Sequence, residues 1–169
     1  MNPLYKILSC SLLASCFAGI QAEAIVNAPY FSHITTQNGL SSNIVYSLFK
    51  DHRGYLWIGC ENGLNRYDGY KIVSFHHNPM DSTSLCNGAV TGMSEDADGN
   101  FWIATSNGAC IFNYATESFA TVFNSEQRNT FCRNFYLTRK KEFFLVTAKG
   151  IYLYKKENKQ FSKYFPSAI

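Results

Sequence analysis

A pattern that returns after 45 residues constrains this chain more than any other feature. Asp51-x-x-Gly54-x-x-Trp57-Ile58-Gly59 recurs as Asp96-x-x-Gly99-x-x-Trp102-Ile103-Ala104. Asn62-Gly63 recurs as Asn107-Gly108, and Tyr67 as Phe112. Self-similarity at such a period marks stacked units, none of which can bury its apolar face alone.

Each unit reads as four short strands. In the first, Val45 to Phe49 is short and rich in β-formers, and Asp51 to Gly54 carries a type I turn signature. Tyr55 to Cys60 is a second strand, and Asn62-Gly63 then predicts a type I′ hairpin turn. Leu64 to Tyr67 is a third strand, closed by Asp68-Gly69, and Lys71 to Phe75 is a fourth. Four antiparallel strands per repeat make one propeller blade.

A third copy is eroded. Phe144-Leu145-Val146-Thr147-x-x-Gly150 lies over Trp102-Ile103-Ala104-Thr105-x-x-Gly108, at a spacing of 42, and Tyr154 lies over Phe112. Its first turn has Thr138 and Lys141 in place of Asp and Gly. The expected fold is therefore all-β, a partial β-propeller of about three four-stranded antiparallel blades. The segments expected are 1–24 as a signal peptide, 25–44 as a lead-in or closing strand, 45–88 as blade 1, 89–133 as blade 2 and 134–169 as a degenerate blade 3. Closed propellers use at least about four blades. Three blades leave edges unpaired, so the expectation is a truncated piece that needs further blades or a second chain to complete the fold.

Residues 1–24 carry the marks of an export signal: Lys6, an apolar run from Ile7 to Ile20, and the small-x-small site Ala22-Glu23-Ala24. Cleavage after Ala24 is favoured. The alternative is a lipoprotein anchored at Cys16, because Leu13-Ala14-Ser15-Cys16 reads as a lipobox. No later segment approaches the roughly 20 apolar residues of a membrane span. Cys60, Cys86, Cys110 and Cys132 follow the signal, with Cys86 and Cys132 expected at near-equivalent places in successive blades. The favoured reading of the four is small buried hydrophobes, with pairing left open. Net charge is +3 and the basic residues are scattered, which argues against a nucleic-acid partner.

Catalytic signatures are lacking. There is no phosphate loop and no Gly-x-Ser-x-Gly elbow, and no His stands at ligand spacing from a Cys. No cofactor, metal or catalytic residue is expected. The Asp-x-x-Gly-x-x-Trp motif is one residue longer between Asp and Gly than the sialidase Asp-box, so an exported carbohydrate-active enzyme is the least favoured reading. Propellers take ligands in the mouth formed by loops at one end. Those loops put Ser42, Asn43, Asn87, Arg128, Asn129 and Asn107 on one candidate face, beside Glu61 and Lys149. Asn and Arg side chains suit sugar hydroxyls.

Phe31-Ser32-His33-Ile34-Thr35, then Gly39-Leu40-Ser41-x-Asn43-x-Val45, precede the first repeat and its Gly63-Leu64-Asn65-Arg66-Tyr67-Asp68-Gly69. This run resembles the opening of the two-component regulator propeller repeats, over about residues 31–154 and most specifically over 39–69. The resemblance implies the N-terminal periplasmic sensor region of Bacteroides-type hybrid two-component kinases, which sense oligosaccharides and control polysaccharide-utilisation genes. It also implies blade-building roles for Asp51, Gly54, Trp57, Asn62, Gly63, Tyr67, Asp68 and Gly69, and for their counterparts Asp96, Gly99, Trp102, Asn107, Gly108 and Gly150. No kinase domain or second propeller follows in the 169 residues, so no signalling output is expected of this chain alone. The alternative is a structural or protein-interaction propeller without a small ligand.

Overall fold

Twelve strands in three separate sheets account for almost all the regular structure of the computed structural model, which describes residues 31–122 and 129–164. The first sheet holds β1 (Val45–Lys50), β2 (Leu56–Cys60), β3 (Gly63–Tyr67) and β4 (Ile72–Phe75). The second holds β5 (Val90–Glu95), β6 (Phe101–Thr105), β7 (Gly108–Asn113) and β8 (Ser118–Thr121). The third holds β9 (Cys132–Leu137), β10 (Phe143–Thr147), β11 (Gly150–Lys155) and β12 (Gln160–Lys163). Each is an antiparallel meander in sequence order. This is the partial propeller of three four-stranded blades. The third sheet opens at Cys132, two residues ahead of the boundary drawn from spacing. The signal sequence and Arg128 lie outside the described residues.

Successive side chains on a strand point to opposite faces, and β6 shows what this does between blades. Phe101 and Ile103 pack toward the first sheet, with Trp57, Leu64 and Met93. Trp102 and Ala104 pack toward the third, with Phe135, Phe143, Leu145 and Phe161. Both tryptophans are fully buried. Trp57 lies 4.7 Å from the Phe101 ring and 5.1 Å from Phe112. Trp102 lies 4.8 Å from Tyr154 and 5.3 Å from Phe143. The repeated Trp is thus the wedge between one blade and the next.

Residues 31–44 form no strand. They carry one 3-10 turn (Thr36–Asn38) and lay Ile34 and Leu40 over Leu56, Ile58 and Cys60 on the far face of the first sheet. Asn65, fully buried, pins them there. Its Oδ1 accepts from the Ser41 amide at 2.9 Å and from the Ser74 hydroxyl at 2.8 Å, and its Nδ2 donates to Ser41 Oγ and the Ile58 carbonyl.

The hairpins correct one expectation. Asn62-Gly63 is not a type I′ turn. Cys60 pairs with Gly63, so Glu61 and Asn62 occupy the turn, and neither has positive φ. Thr105 with Gly108 and Thr147 with Gly150 repeat this register. The glycine is needed one place later, where φ is 155° at Gly63, 102° at Gly108 and 131° at Gly150. A Cβ on Gly63 would meet the Phe75 carbonyl at 2.7 Å. Thr105 and Thr147 close their turns by donating to the Gly108 and Gly150 carbonyls. Cys60, at the same position, instead meets Asn65 Nδ2 at 3.3 Å.

A second correction concerns the thiols. Cys132 opens β9 at the place Val90 holds in β5, whereas Cys86 sits four residues ahead of Val90 in the β4–β5 connection. The two are not equivalent.

Candidate functional site

In all three blades the pairing of the first strand with the second slips by one residue at the same place. Val45 faces Cys60 but Ser47 faces Gly59, leaving Tyr46 unpaired. Val90 faces Thr105 but Gly92 faces Ala104, leaving Thr91 unpaired. Cys132 faces Thr147 but Asn134 faces Val146, leaving Arg133 unpaired. Such a bulge bends its strand and re-aims one side chain, and bulges gather at barrel rims and beside sites.

The first strands β1, β5 and β9 run side by side, so these bulges converge. Ser47 Oγ donates to the Val90 carbonyl at 3.3 Å, and Thr91 Oγ1 donates to the Cys132 carbonyl at 2.6 Å. A Cβ on Gly92 would meet the Arg133 carbonyl at 2.7 Å, so only glycine lets β5 and β9 approach this closely. Tyr46, Thr91 and Arg133 together line one cavity of about 440 Å³, with Ala89, Ser106 and Phe131. The last three are placed by a repeated bond from the hairpin turn to the residue before each first strand. The Ser106 amide donates to Ala89 and the Ala148 amide to Phe131, as Glu61 does to Ile44.

The lining suits a ligand that has both polar groups and apolar faces. Tyr46 and Phe131 are 50 % and 41 % exposed. Ser106 and Thr91 spend their protons inside the protein, Ser106 on Asn87 Oδ1 at 2.8 Å, which leaves their oxygens as acceptors. The Arg133 guanidinium lies 5.6 Å from the Phe131 ring and, among the described residues, has no carboxylate partner.

None of the described loop residues singled out by sequence lines this cavity. Asn87 reaches its rim through Ser106. Asn107 is an exposed turn residue whose amide donates to Thr105 Oγ1. Asn129 is exposed with φ of 60°. Ser42 Oγ accepts from the Ile44 amide, and Asn43 Oδ1 accepts from the Thr36 amide. Lys149 donates its amide to Thr147 Oγ1. Sequence reasoning missed Tyr46, Thr91 and Arg133. Their common signal is three strands registered one above another, with an unremarkable residue second in each.

A second cavity, of about 400 Å³, includes Arg53, Asn100 and Tyr114. Its polar groups are already engaged. Tyr114 donates its hydroxyl to Asp51 Oδ2 at 2.8 Å, and the Arg53 guanidinium sits 3.9 Å over the Tyr114 ring. Burial, and then the bond to Asp51, push the Tyr114 hydroxyl far above the usual tyrosine range. Among the described residues no group of three or more His, Cys, Asp or Glu could hold a metal ion, and no helix is long and apolar enough to cross a membrane.

The two-component regulator propeller profile matches residues 39–62 and 84–107, which end at the same place in successive hairpins. This chain is 35 % identical over 75 residues to Histidine kinase P4 of Formosa agariphila, covering 44 % of this chain and 6 % of that protein. Two solved structures share its fold, both of the extracellular domain of one B. thetaiotaomicron protein, described as a hybrid two component system in one case and a one component system in the other. They align with a TM-score of 0.65 at 21 % and 22 % identity, covering 80 % of this chain and 18 % of theirs. The chain spans less than a fifth of the length of each of these relatives.

Proposed function

We propose that this propeller is part of an exported sensor and receives an oligosaccharide at the convergent ends of its first strands. The observation that carries the reading is the triple bulge, one residue per blade, aimed into one cavity. Aromatic faces at Tyr46 and Phe131 suit the C–H faces of sugar rings. Ser106 and Thr91 suit hydroxyl groups, and a guanidinium with no carboxylate partner among the described residues suits a carboxylate or sulfate. The favoured ligand is therefore an acidic glycan fragment. Export, by cleavage after Ala24 or by anchoring at Cys16, fits both the leader and the extracellular placement of the structural neighbours. Coupling to a kinase and to polysaccharide-utilisation genes is the reading that the family adds.

The test is a panel of immobilised oligosaccharides, uronate-containing, sulfated and neutral, probed with the full chain. Binding confined to acidic members, and lost in Arg133→Ala, supports the reading. Failure to bind any member would move the assignment to a protein-interaction propeller. The apolar far face of the third sheet, with Ile151 45 % exposed, would then be the surface to examine.

A further inference from the structure

All four described cysteines are unbonded, yet two of them nearly touch. Cys86 Sγ lies 3.0 Å from Cys110 Sγ, well inside the roughly 3.6 Å of two non-bonded sulfurs. Cys86 is partly exposed in the β4–β5 connection, and Cys110 is buried in β7. From the juxtaposition of these sulfurs we infer that Cys86 and Cys110 form a disulfide in the exported protein, tying the β4–β5 connection to the middle of the second blade. The inference uses the exported location argued above, because a disulfide persists only in an oxidising compartment. It is independent of the ligand cavity.

The chemistry follows from the different surroundings of the two thiols. Cys86 is held below the usual thiol range by its bond with Cys110, against the pull of burial, so it supplies the thiolate. Burial drives Cys110 far above that range, and it pushes Cys132 up to about 12. Cys86 thiolate attacks a sulfur of an external protein disulfide, forming a mixed disulfide and releasing one thiolate. Cys110 then loses its proton and attacks Cys86 Sγ, expelling the second thiolate. The chain gives up two electrons and two protons, and the external disulfide becomes two thiols. Cys132 and Cys60 remain thiols. Cys132 is committed to the Thr130 carbonyl at 3.5 Å, and Cys60 to Asn65.

The connection that would be tied is already anchored by Leu85, fully buried in the core beside Trp57 and Leu64, and by hydrogen bonds to its backbone. His77 Nδ1 meets the Leu85 carbonyl at 2.7 Å, and the Phe119 amide donates to the Thr83 carbonyl at 2.8 Å. Cys86 and Cys110 are 24 residues apart, so the bond closes a loop long enough to stabilise the fold appreciably.

The test equilibrates the full chain with oxidised and reduced glutathione, alkylates the free thiols, and maps peptides without reduction. A Cys86–Cys110 linked peptide, a mass lower by about 2 Da than the reduced chain, and alkylation of Cys60 and Cys132 are expected. Reduction should lower Tm by about 6–12 °C in the wild type and leave Cys86→Ser unmoved. Full alkylation of Cys60, Cys86, Cys110 and Cys132 in the oxidising buffer, or a linkage of Cys86 or Cys110 to Cys132 or Cys60, would overturn the inference. Because the peptide map is made on wild-type protein, a Cys86→Ser variant that fails to fold does not affect it. Glycan binding is measured separately, so loss of either proposal leaves the other standing.

Discussion

The Trp57 indole N–H donates to Asp51 Oδ2 at 2.8 Å, while Oδ1 of the same carboxylate accepts the Arg53 and Tyr55 amides. Asp96 and Trp102 repeat the arrangement at 2.9 Å. One carboxylate therefore folds the turn with one oxygen and orients the wedge between blades with the other. The spacing Asp-x-x-Gly-x-x-Trp is the reach this double duty requires. Asp96→Ala should cost about 2–3 kcal/mol, because it leaves a buried indole N–H unpaired as well as the turn amides. In a double-mutant cycle with Trp102→Phe, urea melts should show a coupling of about 1–2 kcal/mol. Trp57→Ala should cost about 3–5 kcal/mol through the void it leaves.

Acid should find the same pair. Burial pushes the Asp96 carboxyl up, but the Asn100 and Trp102 side chains and the Asn100 and Asp98 amides outweigh it and hold it below the usual carboxylate range. A depressed folded-state pKa gives stability that is fully present above the unfolded value of about 3.9, and that is lost as pH falls through the folded value. Melting temperatures measured from pH 6 downward should fall more steeply below about pH 4 in the wild type than in Asp96→Asn.

The eroded turn of the third blade keeps the shape of the others at some cost. The Lys141 amide donates to the Thr138 carbonyl, as Gly54 does to Asp51, and Thr138 Oγ1 accepts the Glu142 amide. Lys141 takes φ of 63° where the first two blades use glycine. Lys141→Gly should stabilise the chain by about 0.5–1 kcal/mol in a denaturant titration, because it removes a left-handed strain at no lost contact.

Asn65, itself fully buried, holds the lead-in segment to the first sheet through two bonds to half-buried Ser41. Asn65→Ala should cost about 2–3 kcal/mol and speed proteolysis between residues 33 and 44, where the Ser41 anchor would be released. An unchanged cleavage rate there would mean that Ile34 and Leu40 suffice by packing alone.

The blades were legible because their signals are side-chain signals. Trp57 and Trp102, Asp51 and Asp96, and the alternation within each strand all survive as letters. What stayed hidden is made by the backbone. Whether the turn falls on Glu61-Asn62 or Asn62-Gly63 depends on one step of register, and both readings place a glycine in the hairpin. The bulges at Tyr46, Thr91 and Arg133 leave no compositional trace, since three unlike residues share one backbone event. For that reason loop residues such as Asn87 and Asn107 stood out in the sequence, while the cavity is lined by strand residues next to them. Asn65 looks like a plain strand residue in the sequence because its partner Ser41 lies 24 residues away.

Calorimetric titration of one acidic oligosaccharide from the binding panel into wild type and Arg133→Ala tests the central claim most directly. The convergent bulges predict at least a tenfold weaker Kd in the variant, equivalent to about 1.4 kcal/mol, with Tm unchanged because Arg133 is exposed. Equal affinity in the two proteins would contradict a ligand site at the ends of the first strands.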